Sequence, residues 1–362
     1  MLACDFLIVG SGLTGAVLAR RLRDHGFQVL VVERRPVMGG NLHDYLHESG
    51  AFVHTYGPHY FRTDDEEIWR FVNRFSPFYR FEAVVMAVID GRLEHWPVWR
   101  DYIDSRFPGS RVRIQKEITN LEEACLAKVP EEVYYRFMRE YNMKQWGRDP
   151  RSLSAAIARR FAVEEGSDPR LKKSRYQGLP ASGYSSFLKN MLEGIPVLCN
   201  CPYRSLATQI EVRCKTIYTG SIDEYFGSEF GKLAYRAQKR ESVYHTEASF
   251  VQPVVQVNYP QLADGNKIRS IEWKHASESP EGVEGTLVTI ETPYSPTDPD
   301  KYEYPFPDSA NRALYDRYRV LAASVPGLIF AGRLGNYSYL DMDVAIRKAF
   351  VLFEDLVDAV SN

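Results

Sequence analysis

The chain has 362 residues, room for two or three domains and a large core, and its 44% hydrophobic and 25% charged residues are the proportions of a soluble globular protein. A formal net charge of -2 offers no global field to recruit nucleic acid, and no stretch of about 18 apolar residues is present to insert into a membrane. The 5 cysteines, Cys4, Cys125, Cys199, Cys201 and Cys214, are odd in number and scattered, which argues against a disulfide framework. Cys199-x-Cys201 has neither a second ligand pair nor a nearby histidine, so no metal is expected. Met1 leads straight into a strand with no basic-then-apolar leader, so a cytoplasmic protein is expected.

The first elements carry the clearest signal. The apolar run Phe6-Leu7-Ile8-Val9 reads as a buried parallel strand and breaks into glycine spacing at Gly10, Gly12 and Gly15, before a helix over residues 16–25. Gly10 permits the tight turn, Gly12 lets the backbone approach a pyrophosphate, and Gly15 allows helix and strand to pack closely; Leu13 and Thr14 lie between them at the helix N-terminus. A second strand, Val29 to Val32, ends at Glu33, where a ribose hydroxyl needs a carboxylate. An adenine dinucleotide is the expected ligand. Arg34 follows, and a second glycine pair with Asn41, Gly39-Gly40-Asn41, extends the phosphate-binding surface. This resembles the FAD fingerprint of glutathione-reductase-like flavoproteins, so FAD is favoured over NAD.

Further along, Tyr56-Gly57-Pro58-His59-Tyr60-Phe61-Arg62-Thr63 places a histidine among aromatics after a glycine-proline turn; alone, His59 is more often a packed residue than a catalytic one. Residues 81–99 alternate around Asp90-Gly91, the signal of a type I′ hairpin. Residues 119–161 turn helical, with Pro130, Glu131 and Glu132 as a helix start. Tyr134, Phe137 or Met138, and Tyr141 recur at helical spacing, which also suits a helical core. Tyr141 and Trp146, beside Lys144 and Gln145, look more like an aromatic rim. A further helix is expected over 155–160, then a polar loop over 164–174, a helix from Ser185, and a strand over 212–217. Alternation over 235–290 predicts antiparallel sheet, residues 293–307 a charged, proline-rich connection, residues 327–333 a last buried strand, and residues 341–360 a last helix. That helix opens at Asp341-Met342-Asp343, where free N–H groups and the positive dipole end face an anionic partner.

Lys144-Gln145-Trp146, Tyr176-Gln177-Gly178-Leu179-Pro180, Tyr218-Thr219-Gly220-Ser221-Ile222-Asp223-Glu224-Tyr225-Phe226 and Gly332-Arg333-Leu334-Gly335-Asn336-Tyr337-Ser338-Tyr339-Leu340-Asp341-Met342-Asp343 together resemble the bacterial UDP-galactopyranose mutase family, in unbroken order along the chain. The resemblance implies an α/β protein: an FAD-binding Rossmann-like domain of glutathione-reductase type (1–65, 185–232 and 318–362), a helical insert for substrate and dimer contacts (100–175), and an antiparallel β-sheet domain (66–99, 176–184 and 233–317). It implies a homodimer and a reduced FAD, with NADPH or NADH as reductant. It further implies interconversion of the pyranose and furanose forms of a UDP, dTDP or GDP sugar through a flavin N5–sugar adduct, without net redox. Carried over by residue, Arg160 and Arg269 match the family's two essential arginines, Tyr304 and Tyr339 its diphosphate-binding tyrosines, and Tyr141 its uracil-stacking one. Phe137, Trp146, Arg236 and Asn258 match other substrate positions, and His59, Arg333, Asp341, Met342 and Asp343 flavin contacts, His59 also a catalytic one.

The departures put the substrate in doubt. Arg62 stands where the family usually has a second histidine, Leu171 where it has a further diphosphate tyrosine, and His95-Trp96-Pro97-Val98-Trp99 replaces its Pro-x-Asn pattern. Leu171 lies in a loop, residues 164–173, that is rewritten relative to the family; if that loop closes over the ligand, Arg170, Lys172 or Lys173 is expected at the phosphates, against the negative charge of Glu164-Glu165. Two other readings stand beside the mutase: an amine-oxidase-like FAD oxidoreductase, which leaves the paired arginines without a reason, and a flavin-binding protein without catalysis.

Overall fold

The computed structural model describes residues 2–113, 117–161, 163 and 165–361, with the side chains of Arg160 and Ser361 excepted. Glu164, one half of the acidic pair named above, lies outside the described residues.

The dinucleotide half is a five-stranded parallel sheet in the order Val197–Leu198, Val29–Val32, Leu2–Val9, Ile210–Tyr218, Leu328–Phe330. A parallel sheet must be covered on both faces, which is why Phe6 to Val9 and Val29 to Val32 are continuous apolar runs. On one face, the helices Leu13–Asp24, Gly183–Met191 and Met342–Ser361 bury Val17, Leu18, Phe187, Leu188, Ile346 and Phe350 in the largest core. The last strand was expected to be buried. At the sheet edge, with a neighbour on one side only, it is half-buried.

The second sheet has seven strands, in the order Tyr304–Pro305, Tyr235–His245, Thr286–Tyr294, Arg269–Glu272, Gln256–Asn258, Val85–Ile89, Arg92–Trp96. It differs from the expected antiparallel sheet at one seam, because Gln256–Asn258 pairs parallel with Val85–Ile89. These two strands are far apart in the chain, and no hairpin dictates their direction. The stretch 293–307 also proves to be more than a connection, since Thr286–Tyr294 pairs as far as Tyr294 with Ala237, and Tyr304–Pro305 adds an edge strand. The hairpin at Asp90-Gly91 has φ of 52° and 75°, the two positive values a type I′ turn requires.

Of the stretch 66–99, only the hairpin joins this sheet. The helix Glu66–Asn73, capped by Asp65 accepting from the Glu67 and Ile68 N–H groups, packs Phe71 against Phe350 of the last helix at 5.0 Å. Phe78–Arg80 joins Phe61–Thr63 and Tyr176–Pro180 in a separate three-stranded sheet.

The helical insert has its own core under the hairpin, built on Ile103, Leu121, Val133, Phe137 and Met138. Its main helix starts after Pro130, but Tyr134–Arg139 is π-helical before Glu140–Trp146 continues to Gly147 at φ 67°. The wider turn resets the helical period, so Tyr134, Phe137 and Met138 are buried while Tyr141 is half-buried.

Candidate active site

A cavity of about 500 Å³ opens at the carboxyl edge of the parallel sheet. Its lining separates the glycines by purpose. A Cβ on Gly10, at φ 106°, would lie 2.2 Å from Thr219 Oγ1, and one on Gly15 would lie 2.0 Å from the Gly10 carbonyl; both glycines serve the fold. Gly12 also lines the cavity, yet its Cβ would meet nothing closer than Gly40 Cα at 3.8 Å. The protein itself has room for a side chain there, so the reason for glycine lies with a ligand. Behind Gly12, the helix Leu13–Asp24 has no side-chain cap and no acidic residue in its first turn, leaving N–H donors for an anion.

Glu33 is held beside this cradle. Its carboxylate accepts from Ser11 N–H at 2.9 Å, Ser11 Oγ at 2.8 Å and Arg35 N–H at 2.9 Å, while Ser11 Oγ accepts from Gly39 N–H at 3.1 Å. Glu33 is thereby oriented with acceptor capacity to spare for a hydroxyl. Arg34 is neutralised, its Nη1 donating to both Glu224 oxygens at 2.8 and 2.9 Å and its Nε pairing with Asp300 at 2.5 Å. Asn41 accepts from Arg35 and donates to the Tyr302 carbonyl at 3.0 Å.

The same cavity is also lined by His59, Arg333, Leu340 and Met342. Burial, with the His54 and Arg333 charges, holds the His59 pKa well below the usual imidazole range, and its Nδ1 has no partner among the described residues. His54 Nδ1 accepts the His59 backbone N–H at 3.0 Å, which fixes its tautomer, and burial lowers its pKa to about 4. The sign follows from linkage: the unfolded chain takes up a proton near pH 6.5 that the folded chain refuses, so stability is full above that pH and falls toward pH 4. The chain is therefore expected to be less stable at pH 5 than at pH 7. Urea unfolding at pH 7 and pH 5 checks this against His54→Asn, whose Oδ1 replaces the Nδ1 acceptor; an equal pH dependence in both chains would exclude His54 as its source.

Arg333 donates to the Glu303 and Leu340 carbonyls at 3.2 and 2.9 Å, and its guanidinium lies 4.9 Å from the Tyr339 ring and 5.8 Å from that of Tyr304. The two tyrosines stack at 6.2 Å. Tyr339 Oη donates to Asp341 at 3.2 Å, and Arg62 pairs with the same carboxylate at 3.4 Å. Asp343 accepts from the Val344 N–H, and burial raises its pKa.

Beside these groups, a polar row crosses the seven-stranded sheet. Register places Arg240 opposite Glu291, Glu291 opposite Arg269, and Arg269 opposite Asn258. Residues directly opposite share a face, and Glu291 accordingly binds Arg269 Nε with one oxygen and Arg240 Nε, at 2.8 Å, with the other. Arg240 continues to Glu303 at 2.8 and 2.9 Å. Burial disfavours the Arg269 charge, but Glu291, Tyr304 and Tyr141 outweigh it and its pKa is raised; burial likewise works on Glu291, whose pKa the two arginines hold below the carboxylate range. Gly57, at φ 87°, passes over the row, where a Cβ would lie 2.6 Å from Glu291 Oε1. Sequence reading missed Arg240, Glu291 and Glu303. The available signal was the two-residue period Arg236, Gln238, Arg240 in one strand.

Other expected site residues are placed differently. Arg236 donates to the Gln145 and Lys144 carbonyls at 2.7 and 3.0 Å and so caps the helix Glu140–Trp146. Asn258 is buried and accepts from Gln256 at 2.9 Å. Trp146 is buried edge-on to Phe306. Phe137 is wholly enclosed between Trp96 and Tyr102, in the core of the insert. Tyr141 stacks at 6.2 Å on Trp96, a residue of the rewritten segment. Arg160 ends the short helix Ala155–Arg160, and its side chain lies outside what is described. Leu171 packs into the main core, and Arg170 is bound to Asp168 and Glu82 instead of standing free for phosphate.

Among the described residues no group of three metal-ligating side chains occurs, and no helix is long and apolar enough to cross a membrane. Residues 136–339, more than half of the chain, match the family model described as UDP-galactopyranose mutase, and residues 8–75 match an NAD(P)-binding Rossmann-like domain. The chain is 30% identical to a probable UDP-galactopyranose mutase of Klebsiella pneumoniae, over 99% of this chain and 96% of that protein. It is 29% identical to a dTDP-fucopyranose mutase of Escherichia coli, over 95% and 96%. In fold it is similar to a crystal structure of reduced UDP-galactopyranose mutase (TM-score 0.77, 14% identity, 98% of this chain and 96% of that chain) and to a putrescine oxidase variant (TM-score 0.63, 13% identity, 99% of each). With the Rossmann cradle, the glycine pairs and this similarity along nearly its whole length, the chain belongs to the UDP-galactopyranose mutase family and is an enzyme of the isomerase class.

Proposed function

We propose that this chain binds FAD and, with the flavin reduced, interconverts the pyranose and furanose forms of a nucleotide diphosphate sugar. The observation that carries the reading is that Arg333, which lines the same cavity as Glu33, gathers with Tyr304 and Tyr339 and is joined through Glu303 to the buried arginine row. FAD fits the residues present: Gly12 and the helix N-terminus suit its pyrophosphate, Glu33 a ribose hydroxyl, and the second glycine pair lies against the first, a Cβ on Gly40 falling 2.9 Å from Gly12 Cα. A 2′-phosphate is disfavoured because Arg34, the cation beside Glu33, is already held by two carboxylates. When bound and reduced, the flavin supplies a nucleophilic N5 toward the anomeric carbon.

The protein's part is binding and charge. Tyr304 and Tyr339 offer hydroxyls and Arg269 and Arg160 cations for a diphosphate that must leave and return, contacts that strengthen as charge develops on its oxygens. Arg269 is oriented for this by Glu291, and Arg333 by two carbonyls. His59, kept neutral by burial, can carry a hydrogen bond without adding charge. A cytoplasmic homodimer with NADPH or NADH as reductant completes the reading.

Incubating the protein with UDP, dTDP and GDP sugars tests it. Furanose isomers are expected after dithionite reduction, with no stoichiometric consumption of NADPH; equal turnover by the oxidised protein would sink the reading. With Leu171 in place of a phosphate-binding tyrosine, UDP-galactopyranose is not expected to be preferred by as much as a hundredfold, about 2.7 kcal/mol.

A further inference from the structure

The segment joining the strands Thr286–Tyr294 and Tyr304–Pro305 reaches across to the dinucleotide cavity, where Asp298, Pro299 and Asp300 form part of the lining. It is held there from the opposite wall. Arg34 Nε pairs with Asp300 Oδ1 at 2.5 Å while its Nη1 stays on Glu224, so one guanidinium joins the segment to the Rossmann half. Arg35, lying 4.5 Å over the Tyr56 ring, donates to the Asp300 carbonyl at 2.6 Å, and Asn41 donates to the Tyr302 carbonyl at 3.0 Å. The turn itself is stiffened by Asp298, which caps the short helix Pro299–Lys301 by accepting the Asp300 N–H at 2.9 Å. The residues that grip the segment, Arg34, Arg35 and Asn41, are the ones that directly follow Glu33 and the second glycine pair, so they belong to the cofactor cradle itself.

Resting on the FAD reading, we propose that residues 298–301 are part of the cofactor site as a clasp, closed by the Arg34–Asp300 pair, which sets how long the dinucleotide is retained. On this proposal, parting of the two walls is the step that limits release of a ligand lying between Glu33 and this segment. The pair is half-open to water, with 28% and 47% of the two side chains exposed, so it can break without unfolding either domain. Its contribution is correspondingly modest and sensitive to salt.

The test uses the purified holoprotein and follows first-order release of FAD by the recovery of its fluorescence. Asp300→Asn and Arg34→Met are each expected to release FAD about fivefold faster, the upper range for an ion pair this exposed, and the double variant no faster than the quicker single. Raising the salt should speed release from the unaltered chain and have little effect on Asp300→Asn. Release within twofold of the unaltered rate in Asp300→Asn, or effects that multiply in the double variant, would overturn the clasp. Asp300 is half-exposed in the short helix Pro299–Lys301 and Asn is close to it in size, so the amide variant is expected to keep the fold. Absence of FAD from the unaltered protein would instead defeat the cofactor reading, a separate result.

Discussion

Gly12→Val is expected to give a folded chain that carries no flavin. Gly12 has φ -69° and ψ 177°, an extended conformation open to any residue, and the first Cβ has clear space within the protein. The isopropyl group would fill the place where the backbone must approach a pyrophosphate and would stand before the helix N–H donors. Gly15→Val is the informative contrast, because its Cβ would be driven to 2.0 Å from the Gly10 carbonyl and the strand–turn–helix could not form. Circular dichroism and the visible flavin absorbance separate the two losses. A Gly12→Val protein with native circular dichroism and stoichiometric FAD would end the argument for the cradle.

Arg269→Ala is expected to lower turnover by about 10²–10³, or 2.7–4 kcal/mol, by analogy with loss of a donor that acts on developing oxyanion charge, while FAD is kept. Arg160→Ala is expected to act similarly. The alanine change at 269 also leaves the buried Glu291 with Arg240 as its remaining arginine, which by itself destabilises the sheet. Arg269→Lys separates the effects: it keeps a cation opposite Glu291 but loses the planar fork that suits phosphate. Low turnover in a lysine variant of ordinary stability places the loss at the diphosphate. Losses below threefold in both the Arg269→Ala and Arg160→Ala chains would mean that the diphosphate binds elsewhere.

Much of the dinucleotide half was legible in the sequence because its signal is local. Strand, glycines, helix, strand and Glu33 follow one another within a short stretch, and the spacing of Gly10, Gly12 and Gly15 is itself the signal, although Gly10 also answers to Thr219 of a distant strand and Gly12 to the ligand. The Asp90-Gly91 hairpin was legible for the same reason, the turn chemistry being carried by the two residues themselves. The insert was less so. Tyr134, Phe137 or Met138, and Tyr141 recur at helical spacing, which suited a core as well as a site, and no local pattern announced the π-helical turn over which Tyr134, Phe137 and Met138 are all buried while Tyr141 is half-buried.

The sequence by itself determined the parallel dinucleotide fold, the family, and which arginines and tyrosines are candidates for a diphosphate. Tertiary structure alone decided how those candidates are held. Arg240, Glu291, Arg269 and Asn258 come from four strands, and only strand register puts them in one row, since a slip of one residue would turn each to the opposite face. In the same way, Asp300 meets Arg34 across 265 intervening residues, an encounter set by tertiary packing and written in no local pattern.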